Sequence, residues 1–231
     1  MNINQYDGWE LENFDKAYNF RKLQINKIKK YIKNSKILDV GSGTGGLIAY
    51  YLKETEDLSI IEPSEKLLNK IKDKYDKFPL KVYNNKKNIN EKFDAILYMD
   101  VIEHIENYNL EIEEILKYLK KDGVLILNVP AFNFLFTQFD KDVGHTKRFV
   151  KKDLIKLSQE HELKIQKIEY YDSIGFILIF FSKYIFKFYL KSKNVTNNIR
   201  IWNFLIPLSK FIDRITFNFF GKSLICVLKK N

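Results

Sequence analysis

Ile37-Leu38-Asp39-Val40-Gly41-Ser42-Gly43-Thr44-Gly45-Gly46-Leu47 is the stretch whose reading decides the fold. An apolar run of strand type empties into four of the chain's nine glycines, and a helical pattern follows. Strand, glycine turn and helix in that order open a doubly wound α/β unit, whose ligands bind beyond the carboxyl ends of the strands. An ordinary strand-to-helix turn needs one or two glycines. Four let the backbone approach a ligand with no Cβ in the way. Gly41, Gly43 and Gly46 satisfy G-x-G-x-x-G, the fingerprint of a dinucleotide pyrophosphate. Asp39 argues against an anion there, because a carboxylate ~4 Å from a pyrophosphate costs a few kcal/mol and attracts an ammonium or sulfonium by as much. The loop is built for a cation. Glu62 follows Gly41 by 21 residues, where an acid accepts hydrogen bonds from paired ribose hydroxyls.

The rest of the chain repeats the alternation of short apolar runs and amphipathic stretches. Phe14, Ala17, Tyr18, Leu23, Ile25 and Ile28 predict one helix over 11–32. LSIIE is a second strand, and Pro63-Ser64 opens a helix through Ile71. Residues 79–83 form a third strand, and FDAILYMD a fourth, buried on both faces. A helix over 109–120 is expected to stop at Lys120-Lys121-Asp122-Gly123, a basic last turn followed by glycine. GVLILNVP is a fifth strand. A loop over 130–149, a helix over 151–160 and a sixth strand, LKIQKIEYYD, come next, and KSLICVLKK is the last strand.

At 231 residues, 45% hydrophobic and without internal repeats, the chain forms one domain. It divides into an N-terminal helical cap over 1–34, the sheet, and a hydrophobic basic helical insertion over 174–220. One cysteine, Cys226, excludes an internal disulfide and reads as a buried thiol. The N-terminus lacks the pattern of a signal peptide, which places the chain in the cytoplasm, with the inner membrane face as a further expectation.

At ILDVGSGTG, Glu62, FDAILYMDVIEHI and DGVLILNVP the chain resembles the class I S-adenosylmethionine-dependent methyltransferases. The resemblance implies a Rossmann-like seven-stranded, mostly parallel sheet with the last strand antiparallel. It implies S-adenosyl-L-methionine as cofactor, with Asp39 and the loop Gly41, Ser42, Gly43 and Gly45 at its methionine part. Glu62 and Pro63 then lie at the ribose and Asp100 near the transferred methyl. The family commonly sets an aspartate against the adenine amino group after the third strand. Here Asn84 or Asn85 stands in its place, and an asparagine carbonyl can accept that bond.

Methyl transfer to oxygen needs a group that takes the acceptor's proton. The chain has three histidines. His104 and His145 follow strands four and five on the ligand side, whereas His161 ends a helix and reads as solvated. Asp100, His104 and His145 are the catalytic candidates, with His145 as base or orienting donor. Asp140, Lys147 and Arg148 surround His145 in sequence, and an arginine fork suits an anionic substrate group. GHTKRF resembles a motif of methyltransferases of glycan assembly, and more loosely one of ubiquinone-biosynthesis O-methyltransferases. The second resemblance implies a divalent cation on Asp100, Glu103 and His104. The same Glu-His pair serves helix start and packing in other relatives, and no metal is assigned.

Net charge is +10, of which +6 falls between Ile174 and Phe220, where seven bases meet one acid, Asp213. Lys183, Lys187 and Lys191 recur every four residues and predict a basic stripe on one helix face. The insertion reads as a peripheral membrane contact, a roof over the active site, or an oligomer interface. Its bases interleave with aliphatic bulk, which argues against nucleic acid. The expected function is O-methylation of a sugar or glycan hydroxyl, free or lipid-linked, with Tyr6–Trp9 closing over the cofactor. The alternatives are methylation of a quinone or small lipophilic phenol, a non-catalytic cofactor-binding membrane protein, and an NAD-dependent oxidoreductase. Asp39 and DVIEHI count against the last.

Overall fold

The computed structural model describes residues 8, 10–55, 57–184 and 195–231. Tyr6 and Trp9, and the lysines 187, 191 and 193, lie outside the described residues.

Seven strands form one sheet in the order β3-β2-β1-β4-β5-β7-β6. They are β1 (Ile37–Val40), β2 (Leu58–Ile61), β3 (Lys81–Tyr83), β4 (Phe93–Met99), β5 (Leu119–Pro130), β6 (Leu163–Tyr171) and β7 (Ser223–Lys230). β1 pairs in parallel with β2 and β4, whereas β7 runs antiparallel between β5 and β6. The order reverses between β1 and β4, so the crevice at the carboxyl ends opens beside Asp39 and Asp100. The antiparallel run of β7 sets Ser223 opposite Pro130 and brings Lys222 to the same edge.

Both faces are covered, as unbroken apolar strands such as AILYM require. On one face lie α1 (Leu11–Asp15), α2 (Tyr18–Ile32), α3 (Ile48–Tyr51), α4 (Glu65–Lys74) and later α9 (Val195–Ile215). They bury Phe20, Ile28, Tyr51, Leu68, Trp202 and Ile206 against the sheet. On the other, α5 (Tyr108–Ile115) and α7 (Lys151–Glu160) bury Ile112, Ile115, Leu154 and Leu157. α6 (Gln138–Asp142) follows β5, and α8 (Ser173–Tyr184) pairs with α9.

Four local expectations need correction. The helix over 11–32 is broken at Ala17, whose ψ of 64° leaves the helical region. The break lets α1 lie on the glycine loop. The helix expected to run to residue 120 ends at Ile115, and Leu119 already pairs with Phe93 of β4. Lys120–Gly123 form an irregularity in β5, with Asp122 at φ 61° and the Lys120 ammonium on Asp94 at 2.8 Å. The 130–149 loop contains α6, where Thr137 and Asp140 close a capping box. His161 is half-buried rather than solvated, with its Nε2 shielded.

The insertion starts one residue early, at Ser173, and its sole acid explains why. Asp213 is buried and accepts from the backbone N–H of Asp172 (3.0 Å) and Ser173 (2.9 Å), so it caps α8 from α9. Asp172, left-handed at φ 64°, accepts in turn from Gly175 N, Trp202 Nε1 and Ser209 Oγ, and pairs with Lys222 at 3.3 Å. A buried polar cluster thus fixes the helical hairpin to the sheet. Lys183 turns inward onto the carbonyls of Phe134 and Phe136, which removes it from the expected stripe.

Candidate active site

Asp39, one residue before the end of β1, is buried, with Tyr51 Oη 3.4 Å from its Oδ1. Burial pushes its carboxyl up to about 6, against the pull of Ser42, Tyr51 and Arg21. The glycine turn follows, and Gly43 adopts φ 58°, a left-handed geometry that glycine takes without strain. Glu62 binds the loop directly: it accepts from Gly43 N at 2.7 Å and from Ser64 N at 2.9 Å. Burial raises its carboxyl to about 7, opposed by those two amides. Two protonatable acids therefore face one glycine loop, a surface that a cation would charge. Pro63 is exposed beside Glu62.

α1 lies on this loop. A Cβ at Gly46 would sit 1.8 Å from Asp15 Oδ1, and one at Gly43 would sit 3.0 Å from Leu11. Asp15 accepts from Thr44 Oγ1 and pairs with Arg21 at 3.2 Å, and Arg21 donates to Gln24 Oε1 at 3.0 Å. Gln24 Nε2 then donates to Asp100 Oδ2 at 3.1 Å. Asn128 Nδ2 donates to the other oxygen of Asp100 at 2.7 Å, and Tyr171 Oη to Asn128 Oδ1 at 2.6 Å. One continuous hydrogen-bonded chain runs from the glycine loop through the N-terminal cap to the end of β4. Burial raises the Asp100 carboxyl, while the charges of Arg21 and Lys222 oppose the rise.

Arg21, Gln24, Asn128, Tyr171 and Lys222 of this constellation escaped the sequence reading. Asn128 had a signal, a lone amide in the apolar run LILNVP. Gln24 is fully buried among the apolar residues of α2, but helical periodicity does not say what a polar side chain there will meet.

Across Asp100 lies a second cluster. Thr146 donates its N–H and its hydroxyl to the Glu103 carbonyl, both at 2.8 Å, which clips the GHTKRF segment to the exit of β4. His104 and His145 meet edge to face, their centroids 4.8 Å apart. His145 Nδ1 lies 2.9 Å from Asp140 Oδ1. Burial pushes Asp140 upward, but His145 and the Arg148 guanidinium overcome it and hold its carboxyl below the usual range. An ionised Asp140 only accepts, so Nδ1 carries the proton and Nε2 is free to take another. That Nε2 faces Glu103 Oε1 at 3.9 Å. Burial holds the His104 imidazole down at about 4, the nearby His145 adding to it.

Arg148, expected against an anionic substrate, is instead buried on Asp140, donating Nε at 2.8 Å and Nη2 at 3.0 Å. Its planar fork orients the acid that orients His145. Lys147 packs over the rings of Phe149 and Tyr108 and pairs with Asp153 at 3.4 Å. Asn84 and Asn85 both use their side-chain oxygens in the local turn, accepting from Asn88 Nδ2 and Lys87 N.

For a divalent cation, the set Asp100, Glu103 and His104 does not fit, because both Asp100 oxygens are held by amide donors. Glu103, His104 and His145 do fit: one donor atom from each lies within 4.8 Å of the others. Both Glu103 carboxyl oxygens are buried without a hydrogen-bond partner. Asp140 on His145 and the Gly144 backbone on His104 supply the outer-shell bonds that orient ligand imidazoles.

A sequence model of the family described as "Methyltransferase domain" matches residues 15–170. The ubiquinone biosynthesis O-methyltransferase of Pelagibacter ubique (strain HTCC1062) is 27% identical over 191 residues, 68% of this chain and 78% of that one. Among solved structures, magnesium protoporphyrin IX methyltransferase from Synechocystis PCC 6803, with bound SAH, superposes with a TM-score of 0.64 at 11% identity, covering 99% of this chain and 98% of that one. The N-methyltransferase NodS from Bradyrhizobium japonicum WM9, in complex with S-adenosyl-L-homocysteine, gives 0.61 at 12% identity over 99% and 94%. One of these relatives is named an O-methyltransferase and another an N-methyltransferase, so the comparisons do not assign an acceptor to this chain.

Proposed function

The chain belongs to the methyltransferase domain family, and we propose that it uses S-adenosylmethionine to methylate a phenolic hydroxyl on a small lipophilic acceptor. The observation that carries oxygen as the target is the Arg148–Asp140–His145 relay, which leaves His145 Nε2 as a proton acceptor. An acceptor hydroxyl loses its proton as the methyl arrives, and this dyad is suited to take it. The aromatic side chains Phe14, Phe20, Phe139 and Trp202 pack together, and Phe20 stacks on Tyr171, which joins the Asp100 network through Asn128; this aromatic neighbourhood favours an aromatic acceptor over a sugar. The O-methyltransferase relative named above points the same way. The glycan reading loses its arginine clamp, since Arg148 is occupied by Asp140.

When bound, S-adenosylmethionine supplies the methyl group on a sulfonium centre. Asp39 and the backbone of residues 41–45 would hold its ammonium-bearing part, and Glu62 its ribose. Asp100, fixed by Gln24 and Asn128, would border the transfer site. His145 takes the acceptor's proton on Nε2, and Asp140 stabilises the imidazolium that forms. Positioning the two reactants side by side supplies much of the rate.

A second reading is favoured by the unpartnered Glu103 carboxyl. A divalent ion on Glu103, His104 and His145 would lower the acceptor's own pKa, with His145 as ligand rather than base. The experiment is release of S-adenosylhomocysteine with catechols, simple amines and sugars as acceptors, with and without chelator. Turnover confined to phenols, and lost in His145→Ala, supports the proposal. Turnover of amines alone, or a fully active His145→Ala, sinks it. Loss on chelation selects the second reading.

A further inference from the structure

α9 buries one face on the sheet and leaves the other bare. Trp202, Ile206, Ser209 and Asp213 point inward. Outward, Ile201, Phe204, Leu208, Phe211 and Ile215 recur at intervals of three and four, a continuous exposed apolar stripe in which Phe204 is 78% exposed. Just beyond the helix, Phe217 and Asn218 both adopt left-handed backbone, φ 50° and 53°. That conformation is costly for a bulky residue, and here no packing offsets it, because Phe217 is 92% and Phe219 80% exposed. The turn holds two phenylalanines out into solvent. Leu178, Phe181 and Tyr184 of α8 extend the same exposed apolar character.

Charge decides what covers this face. The cations of α9, Arg200, Lys210 and Arg214, are all exposed, whereas its one acid, Asp213, is buried as the cap of α8. On a helical wheel the three bases border one side of the apolar stripe. Spacing of three and four also suits a helix-to-helix seam, but such seams pair opposite charges along their borders. Two copies of this face would pair no base with an acid in either orientation, and packed antiparallel they would bring arginines and lysines together. Among the described residues no helix is long and apolar enough to cross a membrane.

We propose that α9, with the 217–219 turn, lies in the plane of an anionic lipid surface, its phenylalanines among the acyl chains and its bases at the headgroups. The inference stands on surface geometry and charge and does not depend on the choice of acceptor. Trp202, on the opposite face of α9, packs against Phe20 at 4.5 Å, and Phe20 stacks on Tyr171 of the Asp100 network, so the lipid-facing helix also backs the candidate active site.

The test is co-sedimentation of the full chain with vesicles of phosphatidylcholine alone and with phosphatidylglycerol added, alongside sedimentation velocity without lipid. Binding to the anionic vesicles, weakened by salt, is expected for the wild type. Phe204→Glu/Phe211→Glu changes only exposed side chains, and should keep its melting temperature while binding about a hundredfold more weakly, since each buried ring contributes about tenfold. Arg200→Glu/Arg214→Glu should lose the preference for anionic lipid. Equal binding to both vesicle types, no vesicle binding, or a dimer that the Phe→Glu pair dissolves while vesicles remain unbound would each overturn the proposal.

Discussion

Asp39→Asn removes a charge while keeping the side chain's shape, and so separates the cost of burying that charge from its use. Burial raises the Asp39 carboxyl from 3.8 to about 6. At about 1.4 kcal/mol per tenfold change in ionisation, keeping it charged at higher pH costs the folded chain about 3 kcal/mol. A carboxyl whose folded value is raised holds its proton more tightly folded than unfolded. Its contribution to stability is therefore fully present below 3.8 and is lost as the pH climbs to about 6. Asparagine escapes that loss. With about 1 kcal/mol deducted for the hydrogen bond to Tyr51, the variant should gain about 2 kcal/mol near neutral pH, a rise of roughly 4–8 °C in Tm for a chain of this size. The advantage should vanish in acid. Affinity for S-adenosylmethionine should fall at least about tenfold, because a carboxylate near a cation contributes a few kcal/mol. Calorimetric melts across the pH range, with titration of both proteins by the cofactor, measure the two effects. A variant no more stable than wild type above pH ~7, or one that binds the cofactor equally well, would refute the reasoning.

Cofactor affinity of the wild type should rise with pH through the span set by Asp39 and Glu62, about 6 to about 7, because a cation prefers both acids ionised; titrations in buffers of different ionisation enthalpy should show proton release on binding. Arg148→Ala leaves Asp140 buried without its guanidinium and should cost about 3–5 kcal/mol in urea unfolding. Asn128→Ala strips a donor from Asp100 and the acceptor of Tyr171, and should destabilise by about 1–3 kcal/mol and lower turnover. If the second reading holds, Mn²⁺ should bind the cofactor-free protein with a calorimetric or electron-spin signal that Glu103→Gln abolishes; a signal that survives in Glu103→Gln places the ion elsewhere.

The succession of strands was legible because each is an apolar run, and the ligand-side residues lie at or just past their carboxyl ends: Asp39 inside β1, Glu62 after β2 and Asp100 after β4. The order of the strands in the sheet was not read from the sequence. The helix miscast over 109–120 shows the limit. Lys120-Lys121-Asp122-Gly123 has the composition of a helix stop, but Leu119 gains more by entering the core beside Phe93, and Asp122 takes the left-handed turn inside the strand. The Arg148 reading failed for a similar reason. Sequence places Asp140, His145 and Arg148 near one another without saying that the arginine will spend its fork on the aspartate. Partners distant in sequence, Gln24 to Asp100 and Trp202 to Asp172, were out of reach, because periodicity reports which face is buried and not what it is buried against. Lys183 showed the same gap in reverse, a surface lysine by pattern that folds back onto two carbonyls.

The most direct measurement is a calorimetric titration of the purified chain with S-adenosylmethionine, and separately with NAD. The geometry of Asp39, the glycine loop and Glu62 predicts saturable binding of the sulfonium cofactor and none of the dinucleotide. Binding of NAD, or of neither, would contradict the cation-binding site on which the proposed reaction stands.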